Sequence, residues 1–183
     1  ALQAYYRMGN GTFDDKANGV VHDQHAPGFG AELVTNGGFD ADSNWNRGGG
    51  WTISGGKAHF DGDGGSASAI NQTTSNGLSA ITAGAVYRIT FDISNKVTSA
   101  SLKPQFKDSD SNEYAGDYVD YDNGSHVLYH RATEAWDQFH IHANNAAVSS
   151  FSIDNVSIKK LNGLPALTSD ANGSGFNFSS DTP

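Results

Sequence analysis

The chain of 183 residues has no cysteine, a single methionine and four prolines. Without cysteine there is neither a disulfide framework nor a thiolate metal site. Leu, Met, Lys and Glu are scarce, and these are the residues that build helices. Basic side chains are few as well: 11 Lys and Arg stand against 20 Asp and Glu, for a net charge of -9. A nucleic-acid backbone or an anionic membrane requires a basic patch, so neither is expected as a partner. Calcium and neutral sugars are compatible with such a balance. No apolar run approaches membrane-spanning length, and no signal peptide is visible. The chain opens on Ala rather than Met, as a processed or excised piece would. Composition favours a secreted or virion-borne setting.

What the sequence does contain is 22 glycines together with abundant Ser, Asn, Asp and Thr, the residues of turns and strands. Val86-Tyr-Arg-Ile-Thr-Phe-Asp-Ile-Ser94 alternates with period two and puts Tyr87, Ile89, Phe91 and Ile93 on one face. Trp51-Thr-Ile-Ser54 and Lys57-Ala-His-Phe-Asp61 flank Gly55-Gly56, a hairpin with a tight turn. Ser101–Lys107 is another strand, in which Pro104 predicts an edge or a bulge. Further strands fall near 32–35, 67–72, 126–132 and 136–143. About eight to ten short strands with turn chemistry between them predict an all-β, two-sheet β-sandwich or jelly roll. Residues 1–30 and 161–183 are too polar to bury a core of their own and read as arms around a domain at 31–160. The N-terminal arm holds short apolar runs at 2–8 and at Val20-Val21.

Near the end, Phe151, Ile153, Val156 and Ile158 alternate, with a break in parity at Asp154-Asn155. This predicts a half-buried strand with a bulge, or a strand whose acid is turned to a specific partner. Asp154 either faces water or is held by a cation or by backbone donors.

Three segments in order carry a resemblance. Glu32-Leu-Val-Thr-Asn-Gly-Gly-Phe-Asp40 resembles the opening of carbohydrate-binding module families 4, 9 and 22. Trp136-Asp-Gln-Phe-His-Ile141 is similar to a later core strand of those modules, and Ile153-Asp-Asn-Val-Ser-Ile158 to their closing strand. The flanks at 5–9 and 165–183 resemble segments of phage and other virion-associated surface proteins. The resemblance implies a jelly roll with a structural Ca²⁺ held by Asp40, Asp154 and a backbone carbonyl near Gly38, two carboxylates toward the six to eight oxygens calcium takes. Without the ion, Asp40 would cap a turn and Asp154 would face water.

The same resemblance places a glycan cleft on one sheet. Trp45, in the polar loop Ser43-Asn-Trp-Asn-Arg-Gly48, is a candidate to stack on a sugar, or else an anchor for the loop; Trp51 and Trp136 read as core. Strand parity puts Arg88 opposite the apolar stripe of its strand, and His140 and His142 opposite Phe139 and Ile141. Arg88, His140, His142 and tyrosines among Tyr118, Tyr121 and Tyr129 are therefore the expected cleft, or a solvated face. His140 and His142 share a face, as a transition metal would need, but no Glu follows Glu134 to complete a cupin-type site.

Asp108, Asp110, Glu113, Asp117, Asp120 and Asp122 crowd one segment, which suits a solvated or second calcium loop rather than two carboxylates across a cleft. No nucleophile elbow, phosphate loop or cysteine nucleophile is present, so no enzyme is expected. The expectation is a non-catalytic glycan-binding or adhesion module of a larger extracellular or virion-surface assembly. The competing one is a structural decoration or fibre-forming protein that keeps the fold without sugar binding and meets copies or neighbouring subunits through its arms.

Overall fold

The computed structural model describes residues 20–21, 28–62, 68–97, 101–110, 112–114, 118–143, 150–162 and 166–167. The apolar run at 2–8 and the flanks at 5–9 and 165–183, except 166–167, lie outside the described residues. The strands are β1 (Val20–Val21), β2 (Gly28–Glu32), β3 (Asn46–Arg47), β4 (Trp51–Ser54), β5 (Lys57–Phe60), β6 (Ser68–Thr73), β7 (Val86–Ser94) and β8 (Ser101–Lys107). They continue as β9 (Asn112–Tyr114), β10 (Val119–Asp120), β11 (Gly124–Arg131), β12 (Gln138–Ala143), β13 (Phe151–Asn162) and β14 (Ala166–Leu167). No helix occurs among the described residues.

The chain forms two compact units, Ala31–Lys160 and a smaller one made of Ala1–Gly30 with Leu161–Pro183. In the smaller unit β1 pairs antiparallel with β14, Val20 opposite Leu167 and Val21 opposite Ala166. The larger unit is a two-sheet jelly-roll sandwich. Its first sheet runs β11-β7-β13-β5-β4, with β2 also on β13; its second runs β10-β8-β12-β6-β3, with β9 also on β8.

The alternation in β7 does what its sequence predicts: Tyr87, Ile89, Phe91 and Ile93 are all buried. Tyr87 reaches across the sandwich to Phe106 of β8, with ring centroids 5.7 Å apart. Its hydroxyl accepts a hydrogen bond from the Thr82 backbone amide at 2.8 Å, so the burial leaves no orphaned polar atom there. Trp51, Phe60 and Phe151 form an aromatic cluster at the β4–β5 end, with centroids 5.0 to 5.7 Å apart. Each such buried side chain contributes roughly 1.5–3 kcal/mol of transfer free energy. Gly55 and Gly56 both have positive φ, 58° and 73°, as a two-residue hairpin turn between β4 and β5 needs.

One expectation from the prolines is corrected. Pro104 is not on an edge strand: β8 lies between β12 on one side and β9 and β10 on the other. Pro104 faces the interruption between those two short strands, since β10 pairs with Ser101 and Leu102 while β9 pairs with Gln105, Phe106 and Lys107. A proline lacks the amide a continuous neighbour would use, and among the described residues neither short strand pairs with it.

Candidate functional site

The segment at 32–40 is organised by its contacts with β13. The Glu32 carboxylate accepts hydrogen bonds from the amides of Leu33, Val34 and Ile158, at 3.1, 3.2 and 2.7 Å, and from the Ser157 hydroxyl. Gly37 lies so close to β13 that a β-carbon would overlap the Val156 carbonyl, while its own oxygen accepts the Val156 amide at 2.9 Å. Asn36 and Phe39 adopt positive φ, 54° and 51°. Asn36 is held there by side-chain bonds to the carbonyls of Ala41 and Ser43, and Phe39 by burial in the core.

β13 does carry a bulge. Its register against β7 shifts between Asp154 and Ser157, where Asn155 takes a φ of 52°. The extra residue lets Ile153, Val156 and Ile158 all point inward. Asp154 is held by a backbone donor, the Asn155 amide at 2.7 Å, and sits directly across the ladder from Asp92. Asn155 donates to Asp92 at 2.7 Å. The Ser125 and Asn155 hydrogen bonds hold the Asp92 carboxyl below the usual range.

Trp45 is corrected as a stacking residue. It is 6% exposed, its ring packs on Phe39 at 5.1 Å, and its indole N–H donates to the Asn36 carbonyl at 2.9 Å. The loop is pinned from beneath by Gln72, fully buried, whose amide accepts from the Thr35 amide and donates to the carbonyls of Thr35 and Asn44. Trp45 is the loop's anchor. Trp51 and Trp136 are buried too, so no tryptophan offers a face to a sugar.

The expected cleft is divided between opposite sides of the sandwich. Arg88 of β7 and Tyr129 of β11 are cross-strand neighbours on the outer face of the first sheet. There burial pushes the Tyr129 phenol up while the Arg88 charge pulls it down. His140 and His142 lie on the outer face of the second sheet. Parity within each strand holds; which sheet a strand joins is not contained in it. Tyr121 belongs to neither face: half-buried, it packs edge-on against Phe91 at 5.2 Å and against His126 at 4.8 Å, and burial raises its phenol pKa.

The outer face of the second sheet carries a polar row across four strands. Asn46 of β3 pairs with Asn71 of β6, Asn71 with His140 of β12, and His140 with Gln105 of β8. Beside it, His142 pairs with Lys103, whose ammonium lies 4.3 Å above the ring of Tyr118. On the other side, Gln138 pairs with Lys107. The imidazoles of His140 and His142 are stacked at 5.6 Å, with planes 13° apart. His140 Nε2 bonds the Gln138 side-chain oxygen at 2.9 Å and is therefore the protonated nitrogen, which leaves Nδ1 a buried acceptor with no partner among the described residues. Burial first, then the charges of His142 and Lys107, lower the His140 pKa to about 4. Burial, Lys107 and Lys103 also lower that of His142. Both rings are neutral at pH 7 and can donate and accept. Asn71 and Gln138, which carry no signal in the sequence, supply the amides, with Gln105 buried beneath the row; only strand pairing brings them together.

Of the residues expected to hold calcium, Asp40 is exposed with its carboxylate beside Gly38, and Asp154 has the backbone contact described above. No group of three or more His, Cys, Asp or Glu residues converges as a metal site among the described residues. In the acidic segment, Asp120 and Asp122 bind the Lys96 ammonium at 2.6 and 3.4 Å.

No family model matches the sequence, and no curated protein matches it. Solved structures do. A family 29 carbohydrate-binding module, bearing a substitution made to probe ligand recognition, aligns at TM-score 0.51 and 14% identity over 73% of this chain and 92% of its own. A family 4 carbohydrate-binding module aligns at TM-score 0.51 and 15% identity, over 69% of this chain and 99% of its own. An enzymatically active domain of a bacteriophage tailspike aligns at TM-score 0.49 and 18% identity, over 70% of this chain and 21% of its own, a likeness too distant to carry function. At these identities the likeness is one of architecture: the chain has the jelly-roll fold of carbohydrate-binding modules.

Proposed function

We propose that the protein is a non-catalytic glycan-binding module, and that it meets sugar on the outer face of the second sheet. The observation that carries this reading is the row Asn46, Asn71 and His140 with His142 alongside, a band of amides and neutral imidazoles that can pair with hydroxyls as donors and acceptors. A half-buried imidazole with an unpartnered nitrogen is a poor choice for stability alone. The fold shared with carbohydrate-binding modules supports the reading.

On a glycan array, the protein should bind, and His142→Ala or Asn71→Ala should weaken the best hit roughly tenfold, the loss of one or two net hydrogen bonds. Arg88→Ala with Tyr129→Ala, on the opposite face, should leave it unchanged. The reverse pattern would move the site to the first sheet, and silence across the array would end the sugar reading.

We place the module in a larger assembly outside the cell or on a virion, as an adhesion or decoration element. Assembly without sugar is the second reading, and the β1–β14 ribbon favours it: a two-stranded sheet is marginal alone and offers edges to a neighbouring copy. Size-exclusion of the chain with and without residues 1–30 and 161–183 tests it; a monomer in both cases would count against assembly.

Calcium at Gly38, Asp40 and Asp154 also stays a proposal. Support comes from the amide of Val156 bonding Gly37, which brings the 36–40 turn against the bulge that follows Asp154. Added Ca²⁺ should raise the melting temperature by several degrees over EDTA, on the order of 1 kcal/mol. Coincident melts would remove the ion.

A further inference from the structure

We infer that acid releases the glycan: a proton taken up by the stacked pair His140 and His142 and a sugar lying over them exclude one another. Such a switch presupposes the glycan-binding reading and gives that same site a condition for letting go. The two rings lie 5.6 Å apart with planes inclined by 13°, and His140 pairs with Asn71 on one side. Its Nε2 proton is committed to the Gln138 oxygen, so Nδ1 is the nitrogen left to take a further proton. Nδ1 is buried and meets no acceptor among the described residues. A hydroxyl laid on the surface does not reach an N–H formed there. On a free face the charged ring can turn outward to water. Beneath a bound sugar that route is closed, so the bound form refuses the proton more strongly. By linkage, the proton weakens the sugar by the same factor.

Burial is the first reason that both rings refuse a proton, and the charges around the pair act in the same direction. Within β12, a proton on His142 disfavours one on His140. From β8, Lys107 opposes a proton on both rings and Lys103 opposes one on His142. β6 sets Ala69, Asn71 and Thr73 opposite His142, His140 and Gln138, and none of the three ionises. Beyond β6, β3 adds Asn46, and its Arg47 is paired with Asp42. Carboxylates are more distant along the ladder. Asp137 precedes β12, Asp108 follows β8, and Glu113 of β9 stands in register with Phe106, on the far side of β8 from the pair. Asp117 lies outside the described residues. The pair is therefore neutral at pH 7 and gains charge as the pH falls toward 4, where two stacked cations repel and part.

The test is an array of neutral oligosaccharides, whose own charge does not change with pH, probed with the whole chain at pH 7.5, 6 and 4. Near-UV circular dichroism at each pH follows the fold. Binding should hold between pH 7.5 and 6.5 and fall several-fold by pH 4, recovering on return to pH 7.5. The ring nitrogen NMR signals of His140 and His142, titrated with and without the best neutral hit, should shift to lower pH when the sugar is present. Glu113→Gln should keep the same pH dependence. Equal binding at pH 7.5 and 4, or ring titrations that the sugar leaves unmoved, overturns the switch and leaves glycan binding standing. Loss of the near-UV signal together with binding makes the event an unfolding and overturns the switch as well. A pH dependence that vanishes in Glu113→Gln assigns the response to that carboxylate and overturns the role of the pair. Silence across the array at every pH overturns this inference together with the reading beneath it.

Discussion

Gly37→Ala is expected to destabilise the sandwich by about 3 kcal/mol, a large share of a marginal domain's stability. The new methyl would overlap the carbonyl of Val156, and that oxygen belongs to backbone rather than to a side chain that could swing aside. Val156 is followed at once by Ser157 and Ile158, both paired with β7, and the Gly37 carbonyl is itself bonded to the Val156 amide, so relief strains one or the other. Gly55→Ala is the matched control. Its φ of 58° carries a strain of about 1 kcal/mol, but its β-carbon meets nothing within 4 Å. Urea unfolding of the two variants separates overlap from backbone strain. Equal, small losses would mean that the 36–40 turn yields easily and is no anchor.

The second large effect is on pH. His140 has a pKa of about 4 in the folded chain and an ordinary value of 6.5. Between those limits the unfolded chain takes up a proton that the folded one refuses, so stability is complete above about pH 6.5 and is lost as the pH falls toward 4. The loss amounts to about 3 kcal/mol at most, and His142, lowered for the same first reason of burial, adds to it with the same sign. Asp92, already below the usual carboxylate range, releases its contribution only at pH values beneath that window. Urea midpoints from pH 7.5 to 4 should therefore slope downward in the wild type and much less in His140→Gln. A wild-type profile flat to pH 4.5 would show that the imidazole is far better hydrated than its packing implies.

Much of the scaffold is legible in the chain because it rests on local chemistry. The period of β7, the paired glycines after β4 and the parity break at Asp154-Asn155 each fix a strand, a turn or a bulge from their own residues. Trp51 is readable as core for the same reason, and Trp136 through its resemblance to a core strand of carbohydrate-binding modules. Trp45 is not, because its burial depends on Phe39 and on a loop held by Gln72, far along the sequence. Arg88 and His140 fall on different sheets for a related reason: alternation tells which side of its own strand a residue takes, never which sheet the strand will join. Glu32 stands at the head of the opening motif, yet its bonds to β13 depend on a partner more than a hundred residues away.

The pairing of Leu33 with Ile158, and the approach of Gly28 to Asn162, have a consequence for modularity. The backbone enters the sandwich and leaves it at adjacent points. A domain with that geometry can be spliced into a surface turn of an unrelated host without prising the host apart. The sandwich is thus a portable cassette, able to change its place within a host chain while both of its sheets are carried along intact.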